Sequence, residues 1–154
     1  MNLLDLYARL ARWPAGRWLF ARAVCVRAPY FASIAPRIDR LEAGHCVVRF
    51  AHRRRVTNHI GTVHAIALCN AAELAAGLAT DTALPPSMRW IPRGMQVEYL
   101  RKAVGTMTTV ARVDPTSIPT EAADVPVLVE TRNREGGTVF RATVTMRVSP
   151  RPSR

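Results

Sequence analysis

One stretch of the sequence is almost entirely small and apolar: TNHIGTVHAIALCNAAELAAGLAT, residues 57–80. Alanine and leucine dominate residues 65–80 and no proline interrupts them, so the composition predicts an α-helix. A helix that is apolar on nearly every side is typical of an enclosed element. Glu73 is the exception, because an ionised carboxylate without a partner is costly to bury. It is either an ion-pair partner for an arginine or a functional carboxylate.

Segments rich in β-branched residues surround this helix in the sequence and predict strands. One precedes the helix, residues 45–52, and four follow it, residues 95–100, 106–113, 125–133 and 138–148. The last one alternates apolar with polar residues, as a half-buried strand does. The NREGG segment, residues 133–137, is the predicted hairpin turn before it. The pattern predicts an α+β domain in which an antiparallel sheet of about five strands wraps round one long central helix.

The first 35 residues are predicted to form a helical arm. Leu3, Leu6 and Leu10 recur at helical spacing, WPAG at residues 13–16 interrupts this spacing, and residues 2–27 are predicted to form one or two amphipathic helices. A basic amphipathic helix either packs on its own domain or lies on a membrane surface, and the sequence leaves both open. The whole chain, 1–154, is then one domain: the arm 1–35, a core 40–148 and a tail 149–154.

The chain is strongly basic. It has 22 lysine and arginine residues against 11 acidic ones, a formal charge of +11, and Lys102 is the only lysine. This excess indicates a polyanionic partner, such as nucleic acid, an anionic membrane or a phosphate-bearing small molecule, or it serves solubility alone. Nucleic acid is the least favoured, because the arginines of HRRRV, residues 52–56, lack interleaved aromatic residues.

Cysteine and histidine usage points away from a metal site and from an oxidising compartment. Cys25, Cys46 and Cys69 form no CxxC pair and lie in apolar surroundings, which predicts buried free thiols. The four histidines match no zinc-binding spacing. Arginines interrupt every apolar run near the N-terminus, so no signal peptide or membrane span is expected and a cytoplasmic protein is predicted.

The segment NHIGTVHAIALCNAAELA, residues 58–75, resembles the signature of hotdog-fold acyl-CoA thioesterases of the phenylacetate-pathway type. In that signature Asn, Gly and His-Gly-Gly precede an Asp or Glu that lies nine residues after the His. The matching residues here are Asn58, Gly61, His64 and Glu73. VEYLRKA, residues 97–103, is similar to the YLRPA strand of the same superfamily. The resemblance is closest to a thioesterase-like branch of unknown function.

The resemblance implies hydrolysis of an acyl-CoA to a free acid and coenzyme A, without a cofactor other than the coenzyme A of the substrate. Glu73 would attack the thioester carbonyl or activate water. The Ala65 N–H at the helix start would stabilise the oxyanion, and Asn58 and His64 would position these groups. Contacts to coenzyme A are expected from Gly61, Arg54, Arg93, Arg101 and Lys102, unless the cationic side chains form only a solvated surface.

Two departures from the family pattern favour an alternative function. Ala65 and Ile66 replace the usual glycine pair, and Pro92 stands where some relatives carry a hydroxyl residue that helps to hold water. Both changes suit a protein that binds an acyl-CoA or an acyl-lipid without hydrolysing it.

Helix geometry predicts a dimer if both reacting groups act. Ala65 and Glu73 are eight residues apart, which is about 12 Å at about 1.5 Å per residue. One thioester carbonyl cannot meet both, because reacting atoms must approach within about 3–3.5 Å. A two-fold axis near Cys69 would bring Glu73 of one chain toward Ala65 of the other. A homodimer, or a tetramer built from it, is therefore expected.

Overall fold

The predicted helices and strands are present in a computed structural model that describes residues 2–152. The helices among these residues are α1 (Leu3–Leu10), α2 (Gly16–Arg27) and α3 (Ala65–Ala83). The strands are β1 (Arg37–Glu42), β2 (His45–Phe50), β3 (Met88–Tyr99), β4 (Met107–Arg112), β5 (Ala123–Arg132) and β6 (Thr138–Pro150). Short 3-10 helices occupy Pro29–Ile34, Arg54–Val56 and Pro115–Ser117.

All strands belong to one antiparallel sheet in the order β1-β2-β4-β5-β6-β3. The sheet curls round α3, which contacts every strand. The alanines of this helix let the sheet approach the helix backbone closely, and five of them are fully buried: Ala71, Ala72, Ala75, Ala76 and Ala79. The α+β arrangement round one central helix is therefore confirmed.

The sheet has six strands rather than the predicted five or so. The additional strand is β1, which the sequence did not reveal. β3 also begins at Met88 and not at residue 95, so residues 88–94 belong to an edge strand that tolerates Pro92 through an irregularity in the pairing. β6 continues to Pro150, which shortens the predicted tail. Of that tail, residues 153 and 154 lie outside the described residues.

The N-terminal arm packs on its own domain through one side. Tyr7 and Phe20 meet edge to face with ring centroids 5.1 Å apart, and the Tyr7 hydroxyl donates to the Ile38 carbonyl of β1 at 3.5 Å.

The three cysteines differ in burial. Cys25 is buried in the arm, and Cys46 is buried in strand β2. Cys69 is only half-buried, which corrects the expectation that all three thiols are enclosed. No helix in the described part of the chain has the length and apolar character needed to span a membrane.

Strand β3 is held against α3 by a tryptophan that crosses the helix. The Trp90 ring lies over Gly77, and its indole Nε1 donates to Asp81 Oδ1 at 3.0 Å. A Cβ atom at position 77 would lie 2.7 Å from a ring carbon of Trp90, closer than real contacts allow. Glycine is required here by the close approach of the ring, which fixes one end of β3 over the helix.

Gly77→Ala is expected to destabilise the fold by about 1–3 kcal/mol, the usual range for overpacking in a well-packed site. Urea denaturation followed by circular dichroism would measure the change in the free energy of unfolding. Gly94→Ala is the matched control, because a Cβ there would meet nothing within 4 Å. Equal stability of the two variants would contradict the packing of Trp90 on Gly77.

Candidate active site

A short loop before α3 is built by the side chain of Asn58. Its Oδ1 accepts from the backbone N–H groups of Ile60 at 3.1 Å and Thr62 at 3.0 Å, and its Nδ2 donates to Thr62 Oγ1 at 2.8 Å. Gly61 has a φ of +77°, a left-handed conformation that favours glycine. Asn58 and Gly61 therefore both shape the loop. The acceptor oxygen of Asn58 is already occupied by backbone N–H groups of this loop.

This loop delivers His64 to the N-cap of α3. The imidazole Nδ1 accepts from the Ile66 N–H at 3.1 Å, so the ring proton of the neutral form is on Nε2. The backbone N–H groups of Val63 and His64 donate to carbonyls at 2.8 and 2.7 Å. Capping by His64 therefore satisfies one of the helix's unpaired donors and fixes the direction of its first turn.

The Ala65 N–H has no acceptor among residues 2–152, although the N–H groups of the residues on both sides have one. It lies at the first position of α3, where unpaired N–H groups and the helix dipole favour negative charge. The predicted helix start is confirmed at this residue. The described chain therefore presents one unengaged donor at the position predicted for an oxyanion.

Glu73 lies on the side of α3 that faces the edge strand β3. Cys69, Glu73, Gly77 and Asp81 are spaced by four residues and form one ridge. Cys69 contacts Tyr99 at one end of β3, while Gly77 and Asp81 contact Trp90 toward the other. Glu73, between them, is half-buried and forms no hydrogen bond or ion pair with the described residues. The alternative of an ion pair with an arginine is thus not realised within this part of the chain.

Tyr99 contacts Cys69, which lies one helical turn before Glu73, and sequence reasoning missed it. Its hydroxyl lies 3.3 Å from Cys69 Sγ. The hydrogen bond to Cys69 and partial burial raise the pKa of Tyr99 to about 12, so the phenol stays protonated at neutral pH. The alternation of the strand could have predicted that Tyr99 faces inward, because Met95 and Val97 in β3 face the same side.

A small cavity of about 190 Å³ opens beside the start of α3. Among its lining residues are Tyr30, Ser33, His64, Ile66 and Asn70. The Asn70 side chain is buried and donates to Ser33 Oγ at 2.8 Å, which joins α3 to the 3-10 helix at the end of the arm. Sequence reasoning did not predict that the arm contributes to this cavity.

The basic residues predicted to contact coenzyme A fall into two places. The loop after β3 packs beside the loop before α3, because Val63 N–H donates to the Ala103 carbonyl at 2.8 Å. Arg54, Arg101 and Lys102 are consequently exposed at the end of the molecule where α3 begins. Arg93 is separate, in the irregular part of β3, and pairs with Asp124 at 2.5 Å.

Comparison with solved structures identifies the class of fold. A thioesterase family protein from Silicibacter pomeroyi is 20% identical with a TM-score of 0.73, over 85% of this chain and 96% of that one. A hypothetical thioesterase from Streptococcus pneumoniae, solved with coenzyme A, is 22% identical with a TM-score of 0.64, over 77% and 88% of the two chains. The sheet round a central helix is therefore the hotdog fold, which both of these proteins share.

Higher similarity extends over nearly the whole chain. The protein called genomics APC5556 is 47% identical, with a TM-score of 0.83 and coverage of 97% of both chains. Residues 16–148 match the model of a domain of unknown function, DUF4442, and the chain belongs to that family. No curated protein matches the sequence significantly.

Proposed function

We propose that the protein is an acyl-CoA thioesterase. One observation carries this proposal. The Ala65 N–H at the start of α3 and the half-buried Glu73 carboxylate on the same helix both lack a partner among the described residues. The first is suited to hold an oxyanion and the second to act as a base. Two further facts support it: similar folds include thioesterases, and one of them was solved with coenzyme A.

In the proposed reaction Glu73 takes a proton from water, and the resulting hydroxide attacks the thioester carbonyl carbon. Negative charge moves to the carbonyl oxygen, which accepts a hydrogen bond from the Ala65 N–H. Collapse of this intermediate breaks the C–S bond, and the thiolate of coenzyme A recovers the proton from Glu73. The products are the free acid and coenzyme A. Direct attack by Glu73 is a variant of this route in which water later opens the acyl-enzyme anhydride.

The proposal includes a homodimer, because the two groups lie too far apart on one helix to share a carbonyl. Strand β3 ends the sheet and leaves the backbone groups of its outer side unpaired among the described residues. Such an edge is a template for pairing with another strand. The ridge that carries Glu73 lies under β3, so a two-fold axis through paired β3 strands would bring Glu73 of one copy toward the α3 start of the other.

Binding of coenzyme A is assigned to the exposed cations near the start of α3, chiefly Arg54, Arg101 and Lys102. Guanidinium and ammonium groups match the 3′-phosphate and pyrophosphate, which carry several negative charges. Arg93 is left out of this assignment because Asp124 already pairs with it.

A screen of short, long and aromatic acyl-CoAs tests the proposal directly, with release of the free thiol as the measurement. Turnover of at least one class, saturating with substrate, is expected. Binding of acyl-CoA without turnover of any class would instead favour a non-hydrolysing acyl-CoA or acyl-lipid binding protein. That second function has one observation in its favour: the Ile66 side chain is 53% exposed beside the proposed oxyanion donor, at a position where the thioesterase signature that this segment resembles has glycine.

A mixed dimer tests whether the site combines two chains. Ala65→Pro removes the donor and Glu73→Gln removes the base, so each variant alone should be nearly inactive. When the two are unfolded and refolded together, about half of the dimers are mixed, and one of their two sites is intact. About a quarter of wild-type activity should return on this assumption of random pairing. A mixture as inactive as its parents, with mixed dimers seen by native mass spectrometry, would rule out the composite site.

A further inference from the structure

We propose that the outer face of the N-terminal arm docks on an anionic lipid membrane. The arm packs on the domain with one stripe of α2, formed by Phe20, Ala21 and Cys25. The opposite side of this helix carries exposed apolar side chains together with arginines, and no protein covers it among the described residues. An apolar helix face rimmed by basic residues is the arrangement of interfacial membrane helices.

The exposed side of α2 carries three large apolar side chains, Trp18, Leu19 and Val26, with Arg22 among them. Trp18, Arg22 and Val26 are spaced by four residues, and Leu19 lies beside them. Val26 is 80% exposed and Trp18 is 56% exposed, while the Arg22 guanidinium lies over the Trp18 ring at 5.8 Å. Isolated exposed apolar residues are ordinary, but a contiguous set on one helix marks an interaction surface.

Two more exposed aromatic side chains flank α2 in the sequence. Trp13 precedes the helix and is 71% exposed, and Tyr30 follows it in the 3-10 helix and is 70% exposed. Tryptophan and tyrosine prefer the boundary between hydrocarbon and water, where the ring is buried and the polar atom stays hydrated. The positions of these rings therefore fit a helix lying in the plane of a membrane surface.

The charge of the arm selects an anionic surface. Residues 2–35 contain five arginines and one acidic residue, Asp5. Four of the arginines, Arg12, Arg17, Arg22 and Arg27, are exposed and form no ion pair with the described residues. Basic residues near an anionic leaflet each contribute about 1 kcal/mol, or about fivefold, to binding.

The surface adjoins the candidate active site. Tyr30 belongs both to the apolar surface and to the lining of the cavity beside the start of α3. A molecule docked through α2 would therefore hold this cavity close to the lipid headgroups. The docking proposal does not depend on hydrolysis, since it rests only on exposed residues of the arm.

Sedimentation of the full chain with sucrose-loaded vesicles tests the proposal. Vesicles of phosphatidylcholine mixed with phosphatidylglycerol should bind the protein, and vesicles of phosphatidylcholine alone should bind it at least tenfold less, because about fivefold per basic residue is lost. The triple variant Trp18→Gln, Leu19→Gln, Val26→Gln should lose most of the binding. Leu128→Gln is the matched control, because Leu128 is exposed to a similar degree on the outer face of the sheet.

A second pair of variants isolates the charge. Arg22→Gln with Arg27→Gln should lower binding on the order of tenfold, whereas Arg112→Gln with Arg134→Gln, exposed elsewhere, should change it little. Failure of the wild type to bind the anionic vesicles, or full binding by the triple variant, would overturn the proposal. So would a change of oligomeric state in the triple variant by light scattering, because the face would then be covered by a second copy. Hydrolysis of a water-soluble short-chain acyl-CoA without vesicles should be unchanged in the triple variant, which separates this test from the proposed function.

Discussion

Replacing Glu73 by glutamine is expected to lower the rate of acyl-CoA hydrolysis by about 10²–10⁴-fold, the usual loss when a general base is removed. Glutamine keeps the volume of the side chain and cannot accept the proton of water. The fold should be unaffected, because Glu73 forms no hydrogen bond or ion pair with the described residues. Initial rates with the best acyl-CoA and a thermal unfolding curve would measure the two effects.

Glu98→Gln is the control for this prediction. Glu98 is on β3, where it is exposed on the outer face of the sheet. Like Glu73, it forms no ion pair in the described chain. Its replacement should leave both rate and stability near those of the wild type. A Glu73→Gln protein that unfolds or no longer forms dimers would show that the carboxylate has a structural partner outside the single chain.

Ala65→Pro is expected to lower the rate by about 10²–10³-fold, as does the loss of one oxyanion donor in other acyl-transfer sites. Proline replaces the amide hydrogen with a ring carbon, so the donor is lost while no existing hydrogen bond is broken, because this N–H has no partner among residues 2–152. The first position of a helix accepts proline well. The preceding residue, His64, has φ −64° and ψ 138°, an extended conformation that a following proline permits.

Ala65→Gly completes this experiment, because glycine keeps the N–H and removes the methyl group beside it. Its activity should equal or exceed that of the wild type. Circular dichroism of all three proteins would establish that α3 is retained. A folded Ala65→Pro protein with wild-type activity would show that another donor holds the oxyanion.

The two errors in the predicted sheet have one physical cause. In β1 the pairing shifts between Ile38 and Arg40, so the buried residues Ile38 and Leu41 are three positions apart instead of two or four. In β3 a similar shift between Pro92 and Gly94 separates the inward-facing Trp90 from Met95. A β-bulge breaks the period of two by which a strand is recognised. α3 and β6 contain no such interruption, and both were predicted.

Some features of the candidate site could be predicted from the sequence and others could not. The helix start at Ala65 and its unengaged N–H follow from composition and position along the chain. The use of the Asn58 side chain inside its own loop did not, because that depends on backbone turns spanning Thr57 to Val63. The Tyr99 contact with Cys69 joins residues 30 positions apart and needs the register of β3 against α3.

The two borders of the sheet differ, and the difference limits how far the sheet can grow. At the β1 border α1 and α2 pack beside the strand, and Tyr7 occupies the Ile38 carbonyl. At the β3 border the outer backbone groups have no strand partner within residues 2–152. Another strand can then be added only at the β3 border of each molecule. When two molecules pair through β3, neither has a free sheet edge left. Polymerisation into a fibre would need a second growing end, which the arm removes. Deleting the arm should therefore expose the β1 border as well, so that strand addition no longer stops at two molecules and a fibre can grow.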